Sequence, residues 1–233
     1  MDCALFHIHT LSLAKMELNL LGIIIHEADV ALTDYVLAIE CIVFFTLLLR
    51  AKRTNPGLKH ASVLFFASLA LGSLLGGTVH GFFPDKLSSD RMIMWKLTLV
   101  AIGITTFFLW AIATFLISRK YRKLIIYFAS LGLVFYVWYV SFENSDFKVA
   151  IVNYFIASIF LLTLFLLIYL KQKAKPLILG IVGILLTFIG GWVQQSKFSV
   201  SNYFNHNAFY HLIQAVALIL IFFTLRFLIQ TEK

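Results

Sequence analysis

Three histidines stand where a metal ion would need them. His80 closes an apolar run in "LLGGTVHGFF" (74–83), and His206 and His211 open another in "NHNAFYHLIQ" (205–214). Neutral imidazole suits zinc, and a catalytic zinc takes three protein ligands and keeps one position for water. The expected ligands are His80, His211 and a third from the second stretch. His211 and Asn207 are four residues apart and share a helical face, whereas His206 is rotated away and needs an irregular first turn to join them. A neutral amide is a poor zinc ligand, so His206 is favoured and Asn207 is the alternative. Two acids, Asp34 and Asp90, fall at the same depth as these histidines. Glu40 and Lys96 each lie six residues deeper and are expected to form a buried ion pair, a proton or ion path being the alternative. Glu27 and Asp29 offer oxygen ligands for a cation such as Ca2+ near the same surface.

Those depths rest on the elements that carry the residues. Apolar residues make up 61% of the 233 and charged residues 13%, far too apolar for a soluble domain of this size. Hydropathy gives seven spans, near 30–50, 61–83, 92–118, 123–142, 149–170, 177–195 and 206–229. The chain reads as an all-α, polytopic membrane protein, a seven-transmembrane-helix bundle over 30–229. It has a tail over 1–29 and a short C-terminal tail over 230–233. The formal charge of +8 is an orientation signal rather than a nucleic-acid footprint. Arg50, Lys52, Arg53 and Lys59 lie in loop one. Arg119, Lys120, Arg122 and Lys123 lie in loop three, and Lys171, Lys173 and Lys175 in loop five. The positive-inside rule puts these loops and the C-terminus in the cytoplasm and the N-terminus outside. Asp34, His80, Asp90, His206 and His211 then share the outer third of the membrane.

The tail has no signal-peptide pattern, and Met16 offers a second start. Its apolar stretch Leu18–Ile25 is too short to span and is expected to lie along the interface. Cys3 and Cys41 fall at different depths, so no bridge is expected. Ser68, Gly72, Gly76 and His80 recur every four residues, a small-residue stripe that lets a neighbouring helix approach the face carrying the imidazole. Trp138, Tyr139 and Trp192 read as interface anchors.

Seven spans, a histidine near the end of span two, an aspartate at the start of span three and a histidine pair opening span seven together resemble the CREST superfamily. That group includes the alkaline ceramidases and the progestin and adipoQ receptors. The resemblance covers the whole chain as architecture and three short patches as sequence. Gly76 stands where the family has serine four before the histidine, and Asn207 where it has the first histidine of HxxxH. The resemblance implies a zinc-dependent hydrolase for an amide-linked, ceramide-like lipid entering from the bilayer. Zinc would acidify a water and polarise the carbonyl. Asp90 would act as base and proton donor, with Asp34 holding water or orienting a ligand. A seven-helix transporter or channel lined by Asp34, Glu40, Lys96 and Gln214 is one alternative. A catalytically inactive receptor or scaffold with a vestigial metal site is another. The sequence leaves the oligomeric state open.

Overall fold

The computed structural model describes residues 17–20, 22–52, 55–199 and 204–231. Met16, Cys3 and the tail before them lie outside the described residues, as does Arg53 of loop one. Among the described residues are seven α-helices: α1 Ala28–Arg50, α2 Pro56–Phe82, α3 Ser89–Leu116, α4 Arg119–Phe142, α5 Phe147–Gln172, α6 Pro176–Ser196 and α7 His206–Gln230. All are long and apolar enough to cross a membrane. The chain is a multi-pass membrane protein with an all-α, seven-helix bundle.

Each expected span is present, and most helices run past the expected ends. Hydropathy registers only the apolar part of a helix, while caps set its ends. Asn55 accepts from Leu58 N and Pro56 follows it, so α2 begins five residues before its apolar run. The basic residues assigned to loop three form the first turns of α4. Lys59 of loop one lies in α2, buried, and donates to Leu49 O at 2.7 Å and Ala51 O at 2.8 Å. It caps the C-terminal carbonyls of α1.

The stretch Leu18–Ile25 forms an antiparallel hairpin, β1 Leu18–Leu20 with β2 Ile23–Ile25. Gly22 supplies the turn at φ 87°, and Asn19 Oδ1 accepts from its N–H at 3.0 Å. The hairpin is pinned to the end of α2 by His26 N donating to Gly81 O at 2.9 Å.

The two halves of the bundle are built differently. Toward the ends where α1 and α7 finish, Leu37, Cys41, Leu48, Phe65, Phe66, Ile112 and Leu225 make one buried core. Phe44 stacks on Phe222 at 4.4 Å and meets Phe66 edge-on at 5.3 Å. Lipid is as apolar as these side chains, so close packing rather than escape from water holds this half together. The other half, where α1, α3, α5 and α7 begin, is hollow. α4 packs mainly along α3 and buries only Tyr136 and Val140.

Candidate functional site: a cavity ending in two histidine–carboxylate pairs

The hollow is a cavity of about 680 Å³, walled by every helix except α4. Its walls follow helical stripes. α3 contributes Arg91, Trp95, Thr98, Ile102 and Thr105, at spacings of three and four residues, and α7 contributes Asn207, Tyr210, His211 and Gln214. α2 contributes Ser68, Gly72, Gly76 and His80, the whole small-residue stripe. That stripe therefore faces the cavity, and it is Gly77, one position round, that receives a neighbouring backbone. A Cβ there would stand 3.1 Å from Ala31 O. From His80 down to Ser68 is twelve residues, about 18 Å at 1.5 Å per residue. At the lower end Thr105 Oγ1 donates to Ser68 Oγ at 2.9 Å.

Two histidine–carboxylate pairs meet this cavity. His80 Nδ1 is 2.5 Å from Glu27 Oε2, with the two side chains 15% and 12% exposed. Glu27 sits just before α1 with φ 41°, a left-handed conformation that a non-glycine residue adopts at a cost of about 1–3 kcal/mol. That bend delivers its carboxylate to α2. His211 Nδ1 is 3.0 Å from Thr33 Oγ1, and its Nε2 is 3.4 Å from Asp34 Oδ1. Thr33 Oγ1 lies 2.8 Å from Asp29 O and 3.0 Å from Val30 O. Its one proton goes to a carbonyl, so toward His211 it accepts and Nδ1 carries the hydrogen. Nε2 and Oδ1 then face each other as two acceptors unless a proton lies between them. A proton between them would join His211 and Asp34 into one hydrogen-bonded pair. The pairs are close in space: a Cβ on Gly76, one turn before His80, would be 3.0 Å from Asp34 Oδ2.

The structure does not bring together all the residues expected at the site. His80, His211, Asp34 and Asn207 line the cavity. His206 does not, because α7 starts regularly. Asn205 caps it, its side chain accepting from Asn207 N and Ala208 N, so the irregular turn that would swing His206 inward does not form. Asn207 Oδ1 is used by Gln194 Nε2 at 3.3 Å. Among the described residues, no three His, Cys, Asp or Glu side chains are grouped as a metal site requires. Asp90 is exposed and off the cavity wall; its neighbour Arg91 takes the inward position. Glu27 and Asp29 make no shared cation site, since Glu27 turns to His80 and Asp29 Oδ2 accepts from Asn205 N at 2.9 Å.

The ion pair between Glu40 and Lys96 is not formed. Lys96 Nζ donates instead to Ser141 O at 2.7 Å, a free carbonyl of the last turn of α4, which the six-residue depth count ignored. Glu40 Oε2 is buried without a hydrogen-bond partner.

Arg91, Trp95, Tyr210 and Thr33 were missed by sequence reasoning. The signal for the first two was the α3 stripe. Counting back from Thr105 and Thr98 by helical steps lands on Trp95 and Arg91, not on Asp90.

A family model matches residues 30–230, the bundle from the third residue of α1 to the end of α7. The chain belongs to DUF6962, a family of unknown function. No curated protein and no solved structure matches it. The family match begins after Glu27, so the partner of His80 comes from outside the matched segment.

Proposed function

We propose that the bundle takes a membrane amphiphile into this cavity and holds the ligand's polar part beside His80, Asp34 and His211, as a lipid receptor or carrier does. The observation that carries this is a deep, mainly apolar cavity meeting two largely buried histidine–carboxylate pairs at one end of the bundle. Ligand sites are concave and mostly apolar, with a few polar groups that fix orientation. Leu37, Leu69, Ile102, Ile151, Phe155 and Phe188 supply the apolar wall. Most of the basic residues gather at the opposite ends of the helices, which supports an outside N-terminus and a cavity facing the outer leaflet. The test is a titration of the detergent-solubilised protein with a fluorescent acyl-chain amphiphile, beside Gly72→Phe, which fills the shaft. Saturable binding that the variant loses supports the reading. Equal binding by both, or none by the wild type, overturns it.

One observation favours a second reading, hydrolysis of an amide-linked lipid. His211 Nε2 and Asp34 Oδ1 face each other at 3.4 Å at the cavity wall, and an imidazole–carboxylate pair without a proton between them can take one from water and return it to a leaving nitrogen. Turnover of an N-acyl lipid that disappears in His211→Gln supports this reading. Full ligand binding with no turnover removes it. Metal analysis of the same sample tests the zinc expectation. One zinc per chain requires the donors to regroup around the ion, because His206 as placed stands apart.

A further inference from the structure

The charged groups of the cavity are arranged in an order that specifies more than an acyl chain. Three charged side chains other than histidine line it: Asp34, Lys86 and Arg91. Asp34 is matched with His211. Lys86, exposed in the turn between α2 and α3, and Arg91, in the first turn of α3, have no carboxylate partner among the described residues. Arg91 uses Nη1 on two carbonyls, Val79 O at 3.3 Å and Phe83 O. A guanidinium carries five N–H donors, so its Nε–Nη2 edge keeps the paired donors that match a carboxylate. These cations mark the mouth.

One turn deeper along α3, about 6 Å, the Trp95 ring meets the His80 ring edge-on at 6.3 Å. This is the level of the histidine–carboxylate pairs, where hydrogen-bond donors and acceptors converge. Below it the wall turns to Thr98, Ile102, Leu69 and Phe155. Read from the mouth inward, the cavity offers two cations, then a hydrogen-bonding belt, then an apolar shaft. We propose that the ligand has the same order: an anionic carboxylate head, an amide linkage a few bonds away and a single acyl chain, which in chemical terms is an N-acyl amino acid. The inference rests on the reading that the cavity takes an amphiphile, and it adds the charge of the head and the position of the linkage.

The experiment compares N-dodecanoylglycine, its neutral counterpart N-dodecanoylethanolamide, and dodecanoate, as competitors for the fluorescent amphiphile bound to the full-length protein. N-dodecanoylglycine is expected to bind at least about fivefold more tightly than the ethanolamide at low salt, with the preference shrinking as salt rises. Lys86→Glu is expected to reduce that preference. Arg91→Gln in addition is expected to abolish it. Equal affinities for the glycine and ethanolamine compounds would overturn the anionic head while leaving the amphiphile reading intact. So would a preference that survives both substitutions. Dodecanoate binding as tightly as N-dodecanoylglycine would overturn the linkage. Failure of all three to compete with the bound amphiphile would overturn the inference, and failure of the fluorescent amphiphile itself to bind would overturn the cavity reading with it.

Discussion

Two adjacent glycines should respond in opposite ways to one added methyl group. A Cβ on Gly76 would stand 3.0 Å from Asp34 Oδ2 and 3.4 Å from its Cγ. Only the end of a side chain has to give, at about 0.5–1.5 kcal/mol for a strained rotamer. Alanine returns about 0.8–1 kcal/mol of helix propensity over glycine. Gly76→Ala should therefore leave the melting temperature in detergent nearly unchanged. A Cβ on Gly77 would stand 3.1 Å from Ala31 O, 3.1 Å from Asp34 Cβ and 3.2 Å from the Tyr35 ring. A backbone carbonyl cannot swing aside, so α1 has to retreat from α2, and overpacking of this kind costs about 1–3 kcal/mol. Gly77→Ala should lose up to about 2 kcal/mol after the same propensity gain. The functional ranking is the reverse. Gly76→Ala moves the carboxylate that faces His211 Nε2 at 3.4 Å. It should shift the His211 imidazole ¹⁵N resonances and weaken amphiphile binding about tenfold, the loss expected for one hydrogen bond to a charged group. The reasoning fails if Gly76→Ala destabilises more than Gly77→Ala, or if it leaves the His211 resonances where they were.

The orphaned acid in α1 gives a second expectation. Glu40→Leu should stabilise by about 1 kcal/mol, because Glu40 Oε2 is buried without a partner, whereas Lys96→Met should cost about 1–2 kcal/mol through its lost bond to Ser141 O. Their coupling in a double-mutant cycle should be below about 0.5 kcal/mol; more than about 1 kcal/mol would restore the ion pair. For orientation, cysteines at Lys52→Cys and Ser145→Cys should be labelled from opposite sides of the membrane, Ser145→Cys from outside, and labelling from one side would break the helix count. Glu27→Ala should speed hydrogen exchange over residues 26–31 and free the hairpin from α2, while unchanged exchange would mean that His26 N bonding to Gly81 O holds that end alone.

The bundle was legible because twenty-residue apolar runs leave few alternatives in a membrane. The hairpin was not, because three-residue strands carry little period, and only Gly22 after Asn19 hinted at a turn. At the site, His80, Asp34 and His211 were recognisable as polar groups at one depth. Depth alone does not set azimuth, and the errors are all of that kind. Asp90 and Arg91 differ by about 100° around a helix, and the stripe through Thr98 and Thr105 selects the arginine. His206 and Asn207 differ by the same angle, and the Asn205 cap keeps the first turn regular. Lys96 found a carbonyl at the end of α4 that no count along the sequence reveals.

In the amphiphile reading the cavity holds an acyl chain with its polar part at the histidine–carboxylate pairs. Photocrosslinking tests it most directly. A dodecanoyl amphiphile with a diazirine near the chain terminus is bound to the protein in vesicles, irradiated, and the labelled residues are mapped by mass spectrometry. The account predicts labels on Leu69, Ile102 and Phe155 in the cavity wall, removed by excess unlabelled ligand. Labels confined to lipid-facing residues such as Val134, Phe135 and Leu170, unchanged by competitor, would contradict it.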